Sequence, residues 1–73
     1  MTETEARTIA ERAARAEGRN LAKYQFSSIR REHDGPDEDA WVVHFDHTPA
    51  MPGGHFMVIV DAKTGSARFC PGA

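Results

Sequence analysis

The fold of this chain is decided by its clearest strand, which reads Trp41-Val42-Val43-His44-Phe45-Asp46-His47. Alternate side chains of an extended strand point to opposite faces, so the large apolar residues at the odd positions share one face. A second apolar run, rich in β-branched residues, follows at residues 56–60. Residues 48–54 between the two runs contain two prolines and two glycines, which interrupt regular structure. The sequence therefore predicts an antiparallel hairpin.

The register of this hairpin is predicted by pairing its largest apolar side chains, because a slip of one residue would move every side chain to the other face. On the face that carries Trp41, the predicted pairs are Phe45 with Phe56, Val43 with Val58, and Trp41 with Val60. On the reverse face, they are Val42 with Ile59, His44 with Met57, and Asp46 with His55. One face is thus strongly apolar, and the other is mixed.

An amphipathic helix is predicted ahead of the hairpin. Thr2 and Glu5 have the spacing of a capping box, in which each side chain accepts a hydrogen bond from the backbone N–H of the other residue. Small apolar residues then recur at helical spacing, at Ala6, Ile9, Ala10, Ala13 and Ala16. This shallow stripe suits close packing on a sheet, so the helix is expected to cover the apolar face.

Two further strands complete the predicted meander. Residues 23–33 alternate with period two, but Ile29 falls out of phase with Tyr24 and Phe26, which predicts a bulge at residues 27–28. Residues 61–65 have the pattern of a type I turn with Gly65 in the left-handed conformation, and a last strand follows. The predicted fold class is α+β, an N-terminal helix packed on a three- to four-stranded antiparallel meander, αβββ(β), in a single domain over residues 1–73.

Composition narrows the possible functions. The chain carries nine basic and eleven acidic residues, for a net charge of −2, which is too balanced for the basic surface that nucleic-acid binding requires. No apolar run approaches the roughly 18 residues of a membrane span, and the first residues lack the apolar segment of a signal peptide. The sequence therefore predicts neither nucleic acid nor a membrane as partner.

The single cysteine and the small size point to association in a reducing compartment. Cys70 cannot form an internal disulfide, which predicts a cytoplasmic protein. A core in a chain of this size supplies only about 3–5 kcal/mol, and such proteins usually gain stability from a disulfide, a metal or association. A protein partner, self-association or both are therefore expected.

The reverse face of the hairpin suggests a function. One helix covers one side of a sheet, and no other segment of the sequence is predicted to cover Val42, Met57 and Ile59. Apolar residues on a face that should be polar suggest an interface. Together with Trp41 and with Met51 in the neighbouring loop, they are the predicted partner-binding residues. The alternative is that they are β-forming residues tolerated at the surface.

Candidate residues for chemistry are few. His44, Asp46 and His55 would share the reverse face, and such residues can hold zinc or iron, but their spacing matches no established ligand motif. Cys70 lacks the adjacent helix N-terminus that activates nucleophilic cysteines. The sequence therefore predicts a non-enzymatic protein without a cofactor, and His44, Asp46 and His55 are its remaining metal candidates.

The run from Trp41 to Gly65 has the form Trp-Val-Val-x-Phe, a glycine-containing loop, then Val-Ile-Val-Asp-x-x-Thr-Gly. It resembles the small bacterial immunity proteins of the YrhB-like, immunity-protein-35 type, in which a helix precedes strands of this kind. PepSY modules, which share the helix-then-meander order, are the second resemblance. The first resemblance implies a protein that neutralises a cognate toxin or enzyme by occluding it. A homodimeric structural or chaperone-like protein and a His/Asp metal-binding protein are the alternatives.

Overall fold

The computed structural model of the chain describes residues 1–33, 39–49 and 54–71. Its elements, in chain order, are the helix α1 (Glu3–Ala16), one 3₁₀ turn (Leu21–Lys23), and the strands β1 (Tyr24–His33), β2 (Asp39–His47), β3 (Phe56–Asp61) and β4 (Ala67–Pro71). The strands form one antiparallel sheet in the order β1-β2-β3-β4. The α+β class and the four-stranded meander are therefore confirmed.

The predicted capping box starts α1. The Glu5 amide donates to the Thr2 hydroxyl over 3.2 Å, and the Thr2 amide donates to the Glu5 carboxylate over 3.1 Å. Hydrogen bonding to Thr2 favours the ionised carboxylate and lowers the pKa of Glu5. After the helix, the chain turns away at Gly18, whose φ of 82° is readily adopted by glycine.

The buried stripe of α1 is narrower than the sequence suggests. Ala6, Ala10 and Ala14 are 0% exposed and recur every four residues on the side of the helix that faces the sheet. The prediction that Ala16 belongs to this stripe is wrong, because Ala16 is exposed. A residue two positions after Ala14 lies on the opposite side of a helix.

The core lies between α1 and one face of the sheet, and its buried members are Ala10, Ala14, Val43, Phe45, Phe56, Val58 and Val60. The rings of Phe45 and Phe56 stack, with 5.0 Å between their centroids and 19° between their planes. The rings of Tyr24 and Phe69 also contact Phe56, at centroid distances of 4.9 and 5.2 Å. Phe56 is therefore the central aromatic side chain of the core.

The hairpin of β2 and β3 has the predicted register at Phe45 with Phe56, Val43 with Val58, Trp41 with Val60, Val42 with Ile59, and His44 with Met57. The ladder ends at the Phe45–Phe56 pair, so the predicted pair of Asp46 with His55 is not part of it. The bulge in β1 is confirmed between Phe26 and Ser28. It places Ile29 opposite Val43, where it packs against the core.

Asp61 organises the turn between β3 and β4. Its carboxylate accepts hydrogen bonds from the amides of Thr64 (3.0 Å) and Lys63 (2.8 Å), and the Gly65 amide donates to the Asp61 carbonyl oxygen (2.8 Å). Gly65 has the left-handed conformation that the sequence predicts, with a φ of 77°. The bonds from the Thr64 and Lys63 amides hold the pKa of the Asp61 carboxyl below its ordinary value.

Acid is expected to destabilise the fold in part through Asp61. Folding lowers the pKa of this carboxyl, so its contribution is complete above the ordinary aspartate pKa of about 4 and is lost as the pH falls through the lower folded value. Between about pH 6 and about pH 2.5, the melting temperature of Asp61→Asn should therefore fall less than that of the wild type, as measured by circular dichroism. An equal fall in both proteins would contradict this role for Asp61.

Candidate functional site

The side of the sheet opposite α1 is the candidate site, and we call it the open face. Its central cross-strand row consists of Arg30, Val42, Ile59 and Arg68. The flanking rows are Glu32, Ala40, Asp61 and Ser66 on one side, and Ser28, His44, Met57 and Cys70 on the other. No helix or strand within residues 1–33, 39–49 and 54–71 packs across this face.

A concavity of about 550 Å³ lies on the open face. Its apolar floor includes Ala40, Val42, Met57 and Ile59. Its charged rim consists of Arg30, Glu32, Asp39, Asp61 and Arg68. A sheet face that only meets water carries polar residues at these alternating positions, so the apolar floor distinguishes this face from an ordinary solvated surface.

The three apolar residues predicted to bind a partner all line the concavity, but they are covered to different extents. Val42 is only 5% exposed, and its cross-strand neighbours are Arg30 and Ile59, which have longer side chains. Met57 and Ile59 are half-buried. The accessible apolar surface is therefore provided by Met57 and Ile59, with Val42 beneath them.

Arg30 is held in place at one side of the concavity. Its Nε donates to the Glu32 carboxylate over 2.6 Å, and its Nη1 lies 3.1 Å from Nε2 of His44. A guanidinium group has no acceptor, so Nε2 of His44 accepts this hydrogen bond. Arg30 thereby links two side chains of the open face to each other.

Arg68 is the one charged rim residue that has no hydrogen bond or ion pair within the described part of the chain. Asp39, by contrast, accepts from the guanidinium of Arg31 over 2.6 Å, and Asp61 holds the β3–β4 turn. The Arg68 side chain is exposed, and its cross-strand neighbour is Ile59. A free cation therefore lies directly beside the accessible apolar surface.

Trp41 lies on the other side of the sheet from the remaining candidates. It pairs with Val60, packs against the core below α1, and carries the Arg31 guanidinium 4.9 Å above its ring. Its indole Nε1 is buried and has no hydrogen-bond partner among the residues described. Trp41 therefore does not share a surface with Met57 and Ile59, and Met51 lies outside the described residues.

The metal candidates His44, Asp46 and His55 do not form a ligand cluster. No group of three or more histidine, cysteine, aspartate or glutamate residues that could hold a metal occurs in residues 1–33, 39–49 and 54–71. The β2–β3 ladder ends at the Phe45–Phe56 pair, so Asp46 and His55 are not cross-strand neighbours. In addition, Nε2 of His44 is occupied by Arg30.

The two arginines of the central row were not among the site residues predicted from the sequence. Strand register could have placed both arginines on the open face. Arg30 lies on the same face as Val42 once the bulge in β1 is counted. Arg68 pairs with Ile59 once the turn at residues 61–65 closes the β3–β4 hairpin. Side chains alternate between the two faces along each strand, and extending this alternation from the central hairpin into β1 and β4 identifies Arg30 and Arg68.

Comparison with known proteins gave no match to a family model, a curated protein or a solved structure. In the described ranges, no helix has both the length and the apolar character needed to cross a membrane. The open face, with its concavity and its two arginines, is therefore the basis for the function proposed for this chain.

Proposed function

We propose that this chain is a non-enzymatic protein-binding module whose contact surface is the open face. The observation that carries this proposal is the concavity with an apolar floor and a charged rim, on the side of the sheet that no described helix covers. Protein interfaces commonly combine an apolar centre with a polar rim. A partner seated here would remove Met57 and Ile59 from water.

A protein surface fits this site better than a small molecule does. The volume of about 550 Å³ is within the usual range for ligand pockets. Such pockets, however, enclose roughly 70–90% of the ligand surface, whereas no described element closes over the open face. A partner with its own extended surface needs no such lid.

Self-association through the open face is the alternative. A two-fold contact brings the same surface of both copies together. Two concave surfaces placed face to face enclose a void, and a well-packed interface leaves few voids. A convex surface on a different protein fills the concavity, so a heterologous partner is the better supported choice.

The narrower form of the proposal concerns the kind of partner. The resemblance to immunity proteins of the YrhB-like, immunity-protein-35 type implies that the partner is a toxin or enzyme that this chain occludes. Occlusion needs a binding surface and no catalytic group, which agrees with the apolar and ion-paired content of the open face. If the chain is such an immunity protein, it comes from a bacterium and acts in the cytoplasm.

Capture of a partner from the native cell is expected to depend on Ile59. Ile59→Glu places a charge on the accessible apolar surface, so retention of any protein that the wild type captures should fall at least about tenfold, a loss of about 1.4 kcal/mol. The measurement is quantitative mass spectrometry of the retained proteins. The amide spectrum of each variant would establish that it is folded.

Thr8→Glu is the matched control, because it introduces the same charge at an exposed position of α1. This variant should capture the same proteins as the wild type does. Equal retention by the wild type and a folded Ile59→Glu variant would contradict the proposal. A wild-type chain that retains only further copies of itself would favour self-association instead.

A further inference from the structure

We infer that the partner presents an acidic amphipathic helix to the open face, with an apolar side chain over Ile59 and a carboxylate beside Arg68. This inference rests on the proposed function and specifies the chemistry of the partner. It follows from three properties of the open face: the charge of Arg68, which has no partner in the described part of the chain, the spacing of that charge from the apolar floor, and the concave shape of the surface.

The first property is the free charge of Arg68. Every other charged residue around the concavity is satisfied within the chain by a side chain or by backbone amides. A partner that covers Arg68 without an acceptor would strip water from an unpaired guanidinium, which costs several kcal/mol when burial is complete. A carboxylate on the partner offsets this cost and can bind the guanidinium with two parallel hydrogen bonds.

The second property is spacing. Ile59 and Arg68 are directly paired on neighbouring strands, and neighbouring strands lie about 4.8 Å apart. Side chains four residues apart on a helix lie about 5–6 Å apart. A helix that crosses the strands can therefore place a leucine over Ile59 and a glutamate beside Arg68 at the same time.

The third property is shape. A helix is convex, with a diameter of about 10–12 Å including side chains, and it can project one apolar side chain into a concave surface. The accessible floor beneath that side chain is formed by Met57 and Ile59, with Val42 below them. Met57 is itself part of this floor, and the flexible methionine side chain can change its rotamer to fit the entering side chain.

Three synthetic peptides built on one helical scaffold test this inference. The first carries leucine and glutamate four residues apart, the second carries leucine and lysine, and the third carries serine and glutamate. Each is titrated into the full chain, and the backbone amide shifts are followed by NMR. The leucine–glutamate peptide should shift the amides of Val42, Ile59 and Arg68 and bind about tenfold more tightly than the leucine–lysine peptide.

The remaining outcomes separate this inference from the proposed function. Equal binding of the leucine–glutamate and leucine–lysine peptides at the open face would overturn the acidic partner but support the face as a protein-binding surface. The serine–glutamate peptide should bind much more weakly than the leucine–glutamate peptide. Equal binding of these two peptides would overturn the proposed apolar contact over Ile59. If none of the peptides shifts the amide signals of the open face, the helix inference is overturned. The capture experiment that compares the wild type with Ile59→Glu then decides the proposed function independently.

Reversal of the charge at Arg68 provides the second arm. Arg68 is exposed, so Arg68→Glu should fold, and the variant should prefer the leucine–lysine peptide. Arg12→Glu makes the same change on the exposed side of α1 and should keep the wild-type preference. Arg68→Gln should bind the leucine–glutamate and leucine–lysine peptides with similar affinity. A folded Arg68→Glu chain that still prefers the leucine–glutamate peptide would overturn the inference.

Discussion

Phe56→Ala is expected to unfold the domain at room temperature. Phe56 is 1% exposed, and its ring contacts the rings of Tyr24, Phe45 and Phe69. Truncation of a buried phenylalanine costs about 3–5 kcal/mol, which equals the roughly 3–5 kcal/mol that one core supplies in a chain of this length. Near-ultraviolet circular dichroism and amide dispersion should both be lost.

Met57→Ala is the control for this substitution, because Met57 is the next residue of β3 and points to the opposite face. It is half-buried, so its truncation should cost about 1 kcal/mol and leave a folded domain. A folded Phe56→Ala protein that melts at the same temperature as Met57→Ala would contradict the central place of Phe56 in the core.

Ala10→Leu is expected to have the second largest effect on stability. Ala10 is 0% exposed and packs between α1 and the sheet, in contact with the core. A leucine there adds three carbon atoms at a fully buried position between helix and sheet, so the helix is expected to move away from the strands. Overpacking of this kind costs about 1–3 kcal/mol, equivalent to a fall of about 5–20 °C in melting temperature for a small domain.

Ala16→Leu makes the same chemical change at an exposed position of the same helix. Its melting temperature should stay within a few degrees of the wild-type value, since most surface substitutions change stability by less than about 0.5 kcal/mol. Equal destabilisation by both leucines would show that the stripe formed by Ala6, Ala10 and Ala14 is not the surface that packs on the sheet.

The central hairpin was predictable because local pattern and long-range packing agree there. Phe45 and Phe56, and Val43 and Val58, have the same alternation on both strands, so one register buries all four. The bulge in β1 followed from the phase of Ile29 alone. The end of the α1 stripe was not predictable in the same way, because alanine at position 14 and alanine at position 16 differ only in the angle at which they meet the sheet.

The candidate site was predictable only in its apolar part. Val42, Met57 and Ile59 were identified by their parity, but the extent to which Val42 is shielded depends on the side chains beside it. The contact of Arg30 with His44 on the next strand, and the lack of a partner for Arg68 among the described residues, depend on side-chain geometry across strands, which one sequence does not encode locally. The shared position of the metal candidates His44, Asp46 and His55 assumed a ladder one pair longer than the one that forms.

The central claim is that partners bind the open face and not the helix side of the sheet. The chain has three isoleucines, Ile9, Ile29 and Ile59, and the first two pack against the core on the helix side. A methyl NMR spectrum of the isoleucine-labelled chain, recorded with a captured partner, therefore reports both sides at once. The Ile59 methyl signal should shift or broaden while those of Ile9 and Ile29 remain in place, and the reverse pattern would contradict the claim.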